Sequence, residues 1–417
     1  MKDYWRKIFT GDKVLWFVIF LLFVISGVEM FSAISSSAYR SALRGGTLLG
    51  PFTEHVYHLV FGAVAILVIQ RIPYKTLRAT LFVCCIVAVI LLLLTPFLGK
   101  EVNGASRAID LGFMELQTIE AGKFVLIFCL SEILGRNYKK GDPLLKEKFP
   151  MKSFYVAALV TFTICGMIAV QNLSTAVMLG IISLAMMVIA EVDWKKIFSF
   201  VGMIIALIVL VWGVHKVLPS DWQLERFNTW ENRVLEFVQS TSSTEGEGKA
   251  LVITDENRQI INSEIAIAKG YKPCGPGNST QRDYLPLAFS DFIFAILVEE
   301  WGLAGGIFTI LLYLYILARA GRVAKKCTEH NIGQALIVLG LSLLIVTQAF
   351  ISMGVTAHIG PVTGQQLPLI SRGGMGIILT CCYLGVIINI SNIVLGEKKE
   401  DETSVEPQEN INDDQEC

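Results

Sequence analysis

The sequence predicts an all-α polytopic membrane protein with about ten transmembrane helices. Hydrophobic residues make up 53% of the 417-residue chain. Apolar runs of about 20 residues, the length that crosses the hydrocarbon core of a bilayer, recur along it. The ten runs are centred near Phe23, Val64, Ala88, Ile127, Thr161, Ala185, Leu207, Leu311, Leu344 and Val386. Because a soluble domain would not repeat such runs, this composition excludes a soluble globular enzyme.

The distribution of Lys and Arg predicts which side of the membrane each connection faces. With the N-terminus in the cytoplasm, every cytoplasmic segment is basic and the short outer connections hold few cations, as the positive-inside rule requires. The cytoplasmic set includes Lys13, Arg71, Lys75, Arg319, Arg322, Lys325, Lys326, Lys398 and Lys399. We therefore expect both termini to be cytoplasmic. The first run is expected to be an uncleaved anchor, because it is too long for a signal peptide and lacks a small-residue cleavage site.

Two segments depart from the pattern of short connections. A large extracytoplasmic loop is predicted over residues 218–287, far longer than a usual connection. Its flanks, which begin at 221 and 258, have apolar residues at helical spacing and are expected to lie on the membrane surface. Residues 397–417 are acidic and predict a disordered cytoplasmic tail. The organisation is therefore one transmembrane domain, residues 1–396, followed by this tail.

The nine cysteines do not predict a disulfide framework. Six of them fall in apolar runs, where Cys acts as a small hydrophobic residue, and only Cys274 lies clearly on the outer side. Cys and His show no spacing typical of metal ligands, so the sequence identifies no metal site.

A first cluster of charged residues lies between the third and fourth runs, in "VNGASRAIDLGFMELQTIEAGKF". It contains Arg107, Glu120 and Lys123, the last two at the start of the fourth run. One interpretation is an interfacial helix whose charges face water, with Glu120 and Lys123 paired at i,i+3. The alternative is that these charges face a cavity or a partner, because ionisable residues within a span are costly.

A second cluster is "YKPCGPGNSTQRDYLPLAFSDFIFAILVEEWG", at the start of the eighth run. Asp291 or Ser290 is either an N-cap of the eighth helix or part of a catalytic site. Glu299 and Glu300 would lie about 12–14 Å further along a continuous helix. At that depth a carboxylate needs a cationic partner or a protonated state, so both are interpreted as structural or cavity-lining.

A third cluster, "HIGPVTGQQLPLISRGGMG", precedes the last run. Its Pro and Gly residues exclude a simple helix, and irregular backbone near the bilayer is tolerated only when it is buried in protein or lines a cavity. Arg372 would then sit at the outer face, suited to an anionic headgroup. The alternative is a surface loop with one solvated Arg. All three clusters fall on the outer side, which indicates a site for a lipid-linked, anionic, polar substrate.

These motifs resemble the SEDS family of peptidoglycan glycosyltransferases, of the FtsW/RodA type, over about 380 residues. The second cluster carries the longest match; "NGASRAIDLG" with Glu120 and Lys123, "QNLSTA" at Gln171 and "TGQQLPLISRGG" add three more in order. The resemblance implies polymerisation of undecaprenyl-linked lipid II, with Asp291 as general base on the acceptor 4-hydroxyl. The substrate-binding residues expected from it are Arg107, Glu120, Lys123, Gln281, Ser371 and Arg372. Of these, Arg107, Lys123 and Arg372 are expected to offset charge on the departing pyrophosphate, with or without a divalent cation such as Mg²⁺ or Mn²⁺.

The resemblance also implies partners and a location. The expected protein partner is a class B penicillin-binding protein, a transpeptidase, together with other divisome proteins and no nucleic acid. The start of the chain, the second cluster and the acidic tail are closer to the division branch of the family than to the elongation branch. We therefore expect a multi-pass protein of the bacterial cytoplasmic membrane, at the division septum.

Several residues depart from the family's pattern. Ala108 replaces a Trp, Thr118 a Pro, Asn172 an Asp, Phe289 and Ser290 a His-Thr pair, and Arg372 a Tyr. Two other function classes therefore stay open: a flippase or transporter of lipid-linked sugars, and an inactive scaffold that recruits the transpeptidase. A need for Asp291 at the membrane surface distinguishes the polymerase from both.

Overall fold

The computed structural model describes residues 9–34, 49–102, 105–110, 115–136, 149–217, 235, 258–285, 288–328 and 331–404. Within these residues, ten long helices coincide with the ten apolar runs, and one shorter helix comes from the large loop. They are α1 (Lys13–Ala33), α2 (Gly50–Ile69), α3 (Tyr74–Leu98), α4 (Thr118–Arg136), α5 (Met151–Gln171), α6 (Leu173–Ile189), α7 (Trp194–Val217), α8 (Arg258–Lys269), α9 (Ile293–Cys327), α10 (Ile332–Thr356) and α11 (Met375–Ser404). Seven of the long helices are long and apolar enough to cross a membrane. The predicted fold class is confirmed.

Polar residues at the helix starts allow short connections between spans. The Asp12 carboxylate accepts hydrogen bonds from the amides of Val14 (2.9 Å) and Leu15 (3.4 Å) and so caps α1. Asn172 separates α5 from α6 and caps α6, and Asn331 caps α10 in the same way. Such caps satisfy amides that a helix start otherwise leaves without a partner.

Three short strands lie between α3 and α4: β1 (Lys100–Val102), β2 (Ala105–Asp110) and β3 (Glu115–Gln117). They form an antiparallel sheet in the order β1-β2-β3, in which Ala108 of β2 pairs with Gln117 of β3. The interpretation of this region as an interfacial helix is therefore wrong. Strand pairing satisfies the backbone groups of an irregular connection at the membrane surface, and β3 leads directly into α4.

The helices differ in how much of their surface other helices cover. In α10 and α11, 72% and 67% of the membrane-spanning window is buried, against 22% in α2 and in α3. Large apolar side chains such as Phe61 and Phe82 are exposed on those outer helices. Because apolar side chains are stable against lipid, α10 and α11 form the centre of the bundle and α2 and α3 its lipid-facing edge.

The helix α9 is interrupted at Gly302, whose φ of 75° and ψ of 178° are not helical. The next amide, of Leu303, donates to the carbonyl oxygen of Gly270 (3.2 Å), just after α8. A Cβ on Gly270 would lie 2.6 Å from the Val298 carbonyl oxygen, so the loop packs directly against α9. The first nine residues of α9 are therefore a separate short piece next to that loop.

Two predictions for the loop and the tail can be compared with the structure. The helix predicted from residue 258 is present as α8, and Ser263 Oγ on its buried face donates to the carbonyl oxygen of Thr356 at the end of α10 (3.1 Å). Protein thus covers part of the face that was expected to lie on the membrane. The flank that begins at 221 lies outside the described residues. At the other end of the chain, α11 continues to Ser404, and the tail from 405 onward is likewise outside them.

Candidate functional site

Asp291 lies in a turn immediately before α9. The helix begins at Ile293 and its N-cap is Phe292, which makes no capping side-chain bond, so the interpretation of Asp291 or Ser290 as an N-cap is wrong. The Ser290 hydroxyl instead donates to Asp291 Oδ1 (2.9 Å). A Cβ on Gly364 would lie 3.8 Å from Asp291 Oδ2, so the absence of a side chain there keeps space beside this oxygen. Asp291 is half-buried at the edge of the bundle.

The segment between α10 and α11, residues 357–374, packs against this turn. Ser371 Oγ accepts from the amide of Leu367 (2.9 Å) and donates to the carbonyl oxygen of Ser290 (2.6 Å). The Arg372 amide donates to the carbonyl oxygen of Phe289 (2.9 Å). Ser371 is 1% exposed. Residues 365–371 are irregular and mostly buried, as predicted, whereas Ile359 near the start of the segment is exposed. The buried part fixes the backbone that carries Asp291.

Arg372 makes two contacts with its side chain. Its Nη2 lies 2.7 Å from Glu54 Oε2 on α2, and its guanidinium carbon lies 5.6 Å from the centroid of the Phe289 ring. Arg372 is therefore partly exposed and has both a carboxylate and an aromatic partner, instead of being one solvated Arg in a surface loop. Arg372 and Phe289 both stand at positions where the chain departs from the family's pattern, and their side chains contact each other.

The charged pair at the start of α4 points into the protein. Lys123 Nζ lies 2.6 Å from Glu120 Oε1, which confirms the i,i+3 pair, but Lys123 is only 1% exposed, so its charge does not face water. The ammonium also donates to Gln348 Oε1 on α10 (3.0 Å). Gln348 Nε2 in turn donates to the carbonyl oxygen of Gln366 (3.2 Å). This network connects the first cluster to the third, as expected for an ionisable residue held inside a span.

A cavity lies between α4, α10, α11 and the 357–374 segment. Its polar lining comprises Glu120, Gln348, Gln366, Ser371 and Thr380. Asp291 does not line this cavity and is connected to it through Ser290 and Ser371. The first and third clusters thus share one cavity wall, and the second cluster lies directly against that wall.

The "QNLSTA" motif also reaches the site. The Gln365 side-chain amide donates to Thr175 Oγ1 in the first turn of α6. Asn172, where the family has Asp, accepts from the Thr175 amide (3.2 Å), so the cap survives this departure. Four stretches that are far apart in sequence therefore meet at one end of the bundle.

Glu299 and Glu300 bind the loop that precedes the Asp291 turn. The Glu299 carboxylate accepts from the Thr280 amide (3.1 Å), the Thr280 hydroxyl (2.8 Å), the Gln281 amide (3.2 Å) and the Ser279 hydroxyl. The nearest cation, Lys269, is 4.0 Å away. Such hydrogen bonds stabilise a buried carboxylate without a cation.

Glu300 makes similar contacts with the same loop. Its carboxylate accepts from the amides of Gly277 (3.0 Å) and Ser279 (3.3 Å) and from the Ser32 hydroxyl on α1. Amide and hydroxyl donors thus surround both acids, and Lys269 lies at ion-pair distance from Glu299; the expected need for a cation or a proton at this depth stays a prediction. Their structural role is supported by every contact they make.

Two further predicted residues lie outside this arrangement. The Gln281 amide bonds Glu299, and the Gln281 carbonyl oxygen accepts from the amides of Tyr284 and Leu285, so its backbone belongs to the loop rather than to the cavity wall. Arg107 lies on β2, and its side chain is outside the described residues. Substrate-binding roles for both stay predictions.

Sequence reasoning missed Gln348 and Gln366. Gln348 is an amide inside an otherwise apolar run, "LLIVTQAFISM", and that exception was the available signal. Tyr383 was also missed; its hydroxyl donates to the carbonyl oxygen of Glu120 (2.7 Å). Across the described part of the chain, no three or more His, Cys, Asp and Glu side chains are grouped so that they could hold a metal ion.

Comparison with known proteins gives one consistent result. A family model described as "Cell cycle protein", FTSW_RODA_SPOVE, matches residues 13–394. A Coxiella burnetii protein named "Probable peptidoglycan glycosyltransferase FtsW" is 30% identical over 385 residues, covering 90% of this chain and 95% of the relative. The Escherichia coli K12 "Peptidoglycan glycosyltransferase MrdB" is 25% identical over 393 residues, covering 93% and 95%.

Two solved structures share the fold. One, described as "Structural coordination of polymerization and crosslinking by a peptidoglycan synthase complex", has a TM-score of 0.69 and 21% identity, and covers 92% of this chain and 98% of that one. The crystal structure of the Thermus thermophilus rod shape determining protein RodA has a TM-score of 0.59 and 20% identity, with coverage of 91% and 96%. At these identities the similarity is evidence of the fold alone.

Proposed function

Because this chain belongs to the FTSW_RODA_SPOVE family of cell cycle proteins, we propose that it is a peptidoglycan glycosyltransferase. It polymerises lipid II into glycan strands at the outer face of the cytoplasmic membrane. The names of the relatives support this activity. The observation that carries the proposal for this chain is the bridge from Ser371 to Ser290, which holds the Asp291 turn against the cavity wall.

In the proposed reaction the 4-hydroxyl of one lipid-linked glycan attacks the anomeric carbon of another. The new C–O bond forms while the bond from that carbon to the pyrophosphate breaks, so the anomeric centre inverts. Asp291 takes the hydroxyl proton as the bond forms, because a sugar hydroxyl has a pKa far above 7 and does not ionise beforehand. The space beside Oδ2 that Gly364 leaves is where the acceptor hydroxyl would approach.

The charge of the departing pyrophosphate requires cations near the membrane surface. Arg372 is suited to this role because its side chain is partly exposed and oriented by Glu54 and Phe289. Lys123 is fully buried, so its contribution is to hold the Gln348 amide and the cavity wall and to add positive potential behind them. Arg107 on β2 is the third proposed contact, and Glu120 and Ser371 face the same cavity.

The proposal extends to a partner and a location. The protein works with a class B penicillin-binding protein that cross-links the new strands, together with other divisome proteins at the septum. A structural neighbour described as a synthase complex for polymerization and crosslinking supports a transpeptidase partner. The FtsW names of several relatives support septal rather than lateral wall synthesis.

The function is tested with the purified full-length chain and lipid II, with and without its class B penicillin-binding protein. We expect glycan strands of many disaccharides on a denaturing gel, at least when the partner is present. In parallel, lipid II movement across vesicles that contain the chain is measured. Transport without polymer would contradict the proposal in favour of a flippase, and neither activity with the partner would favour a scaffold.

A further inference from the structure

A second cavity lies at the opposite end of the bundle from Asp291. It is formed where the start of α1 meets the last turns of α9 and the middle of α11. Its charged lining residues are Asp12, Arg319, Arg322 and Lys326, and Val323 and Val394 contribute apolar surface. The positive-inside rule assigns this end to the cytoplasm. The proposed polymerisation uses none of these residues.

One cation in this cavity is already neutralised. Both Arg319 Nε (2.8 Å) and Nη2 (2.5 Å) bond Asp12 Oδ2, and Asp12 is 5% exposed. The Asp12 amide donates to Ser391 Oγ on α11 (3.1 Å). These bonds fix the cavity wall, since Asp12 also caps α1 through its other carboxylate oxygen.

The other two cations are not neutralised in this way. Arg322 and Lys326 are spaced i,i+4 on α9 and therefore project from one face of the helix. Both are exposed, and neither side chain forms a hydrogen bond or ion pair with another described residue. Three cations and one carboxylate leave a formal charge of +2 on the lining. The cavity is therefore suited to an anion.

We propose that this cavity binds the phosphodiester headgroup of an anionic phospholipid, such as phosphatidylglycerol, from the cytoplasmic leaflet. Arg322 and Lys326 contact the phosphate oxygens, as basic pockets between spanning helices on the cytoplasmic side bind lipid headgroups. Val323 and Val394 contact the apolar part of the lipid next to its headgroup. This combined lining favours a lipid phosphate over free phosphate, which has no apolar portion.

The acidic tail of the chain is the competing anion. The helix α11 continues from Val394 to Ser404, ten residues or about 15 Å of helix. Residues 405–417 follow it, and thirteen extended residues span roughly 43 Å, so the test below includes their removal. The lipid leaflet, by contrast, is adjacent to the ends of α1, α9 and α11.

The test is native mass spectrometry of the delipidated full-length protein titrated with phosphatidylglycerol or phosphatidylcholine. We expect one tightly held phosphatidylglycerol and no comparable phosphatidylcholine. The Arg322→Ala/Lys326→Ala variant should bind that lipid roughly 25-fold more weakly, because each cation near the membrane surface contributes roughly five-fold. The matched control is Lys152→Ala/Lys195→Ala, which removes two exposed cations from the same predicted side, on α5 and α7, two helices that contribute no lining residue to this cavity, and it should retain the lipid.

Three results would overturn the proposal. Equal losses in the two double variants would mean that the attraction is a general surface effect. Displacement of the lipid by soluble glycerol 3-phosphate at similar concentration would assign the cavity to free phosphate. Stronger phosphatidylglycerol binding after removal of residues 405–417 would assign the cavity to the tail. Polymerisation of lipid II is not the readout, so failure of this proposal is distinct from failure of the proposed function.

Discussion

Ser371 Oγ donates a 2.6 Å hydrogen bond to the carbonyl oxygen of Ser290, the residue that precedes Asp291. The two serines are 81 positions apart in sequence. The same Oγ accepts from the amide of Leu367, so one hydroxyl joins the segment before the last helix to the turn before α9. The position of the proposed base therefore depends on a residue from a different span.

Replacing Ser371 with Ala tests this dependence. The change leaves the buried Leu367 amide and the Ser290 carbonyl without their partner, at a cost of about 1–3 kcal/mol. We expect slower polymerisation with only a modest change in lipid II affinity. The control is Ser352→Ala, because Ser352 is equally buried and its hydroxyl bonds no other described residue. Full activity of Ser371→Ala would contradict a positioning role.

Lys123→Met should destabilise the protein strongly. It removes one partner of a buried ion pair and leaves the Glu120 carboxylate and the Gln348 oxygen without their cation, a loss of about 3–5 kcal/mol. Adding Glu120→Gln should reverse much of the decrease in melting temperature that Lys123→Met causes in detergent, because no uncompensated charge then remains. Polymerisation should stay low in this double variant. If the single change leaves the melting temperature unaffected, the buried network does not stabilise the fold.

The contact between Arg372 and Phe289 predicts a measurable coupling energy. A double-mutant cycle with Arg372→Ala and Phe289→Ala should give about 0.5–1 kcal/mol in stability, the usual value for a partly exposed cation above an aromatic ring. A second cycle, of Arg372→Ala with Glu54→Gln, should give a coupling energy that falls as the salt concentration rises, since that ion pair is exposed and therefore screened. Zero coupling in the first cycle would show that the two departures are independent.

Glu299 should control how tightly the 275–281 loop is held. Glu299→Gln replaces one carboxylate oxygen with an amide nitrogen that cannot accept hydrogen bonds, so it removes either the two bonds from Thr280 to Oε1 or the bonds from Ser279 and Gln281 to Oε2. We expect trypsin to cut faster at the residues that flank this loop, Lys272 or Arg282, by about ten-fold or more if each lost charge-assisted bond contributes 1.5–3 kcal/mol. Glu264→Gln, an exposed acid on α8, is the control. Unchanged cleavage would contradict the structural role of Glu299.

Cys274 provides a test of orientation and electrostatics together. Partial burial, and then the charges of Glu299 and Glu300, raise the pKa of this exposed thiol. The reactive thiolate is therefore scarce near pH 7, and its fraction should increase as the pH rises toward the raised pKa. A membrane-impermeant maleimide should label spheroplasts at Cys274, faster with increasing pH, and should not label Cys274→Ser. Labelling only after cell lysis would reverse the predicted topology.

Local signals were sufficient to predict the spans, and the side of the membrane that each connection faces stays a prediction. Each apolar run became a helix because a bilayer selects for internally hydrogen-bonded segments. The distribution of charge also predicted correctly which helix ends lie together. Asp12, Arg319 and Ser391 meet at one end of the bundle, and Ser290, Ser371 and Gln366 meet at the other.

Contacts between distant residues could not be predicted in the same way. The donors around Glu299 belong to a loop whose path depends on the break at Gly302, and a single glycine in an apolar run does not specify such a break. The contact of Arg372 with Phe289 joins two departures that the sequence presents as unrelated. The three-stranded sheet replaced an expected interfacial helix because short strands in a charged connection leave only a weak periodic signal.

The most direct test of the account is lipid II polymerisation by Asp291→Asn beside Asp283→Asn, each with the penicillin-binding partner. Asp283 is an exposed carboxylate that lies eight residues before Asp291, and it pairs only loosely with Arg282 (3.8 Å). If Asp291 is the general base, its amide variant should lose about 100-fold or more of the rate while folding normally, and Asp283→Asn should remain active. Equal polymer from both variants would contradict the central claim and direct attention to Glu120.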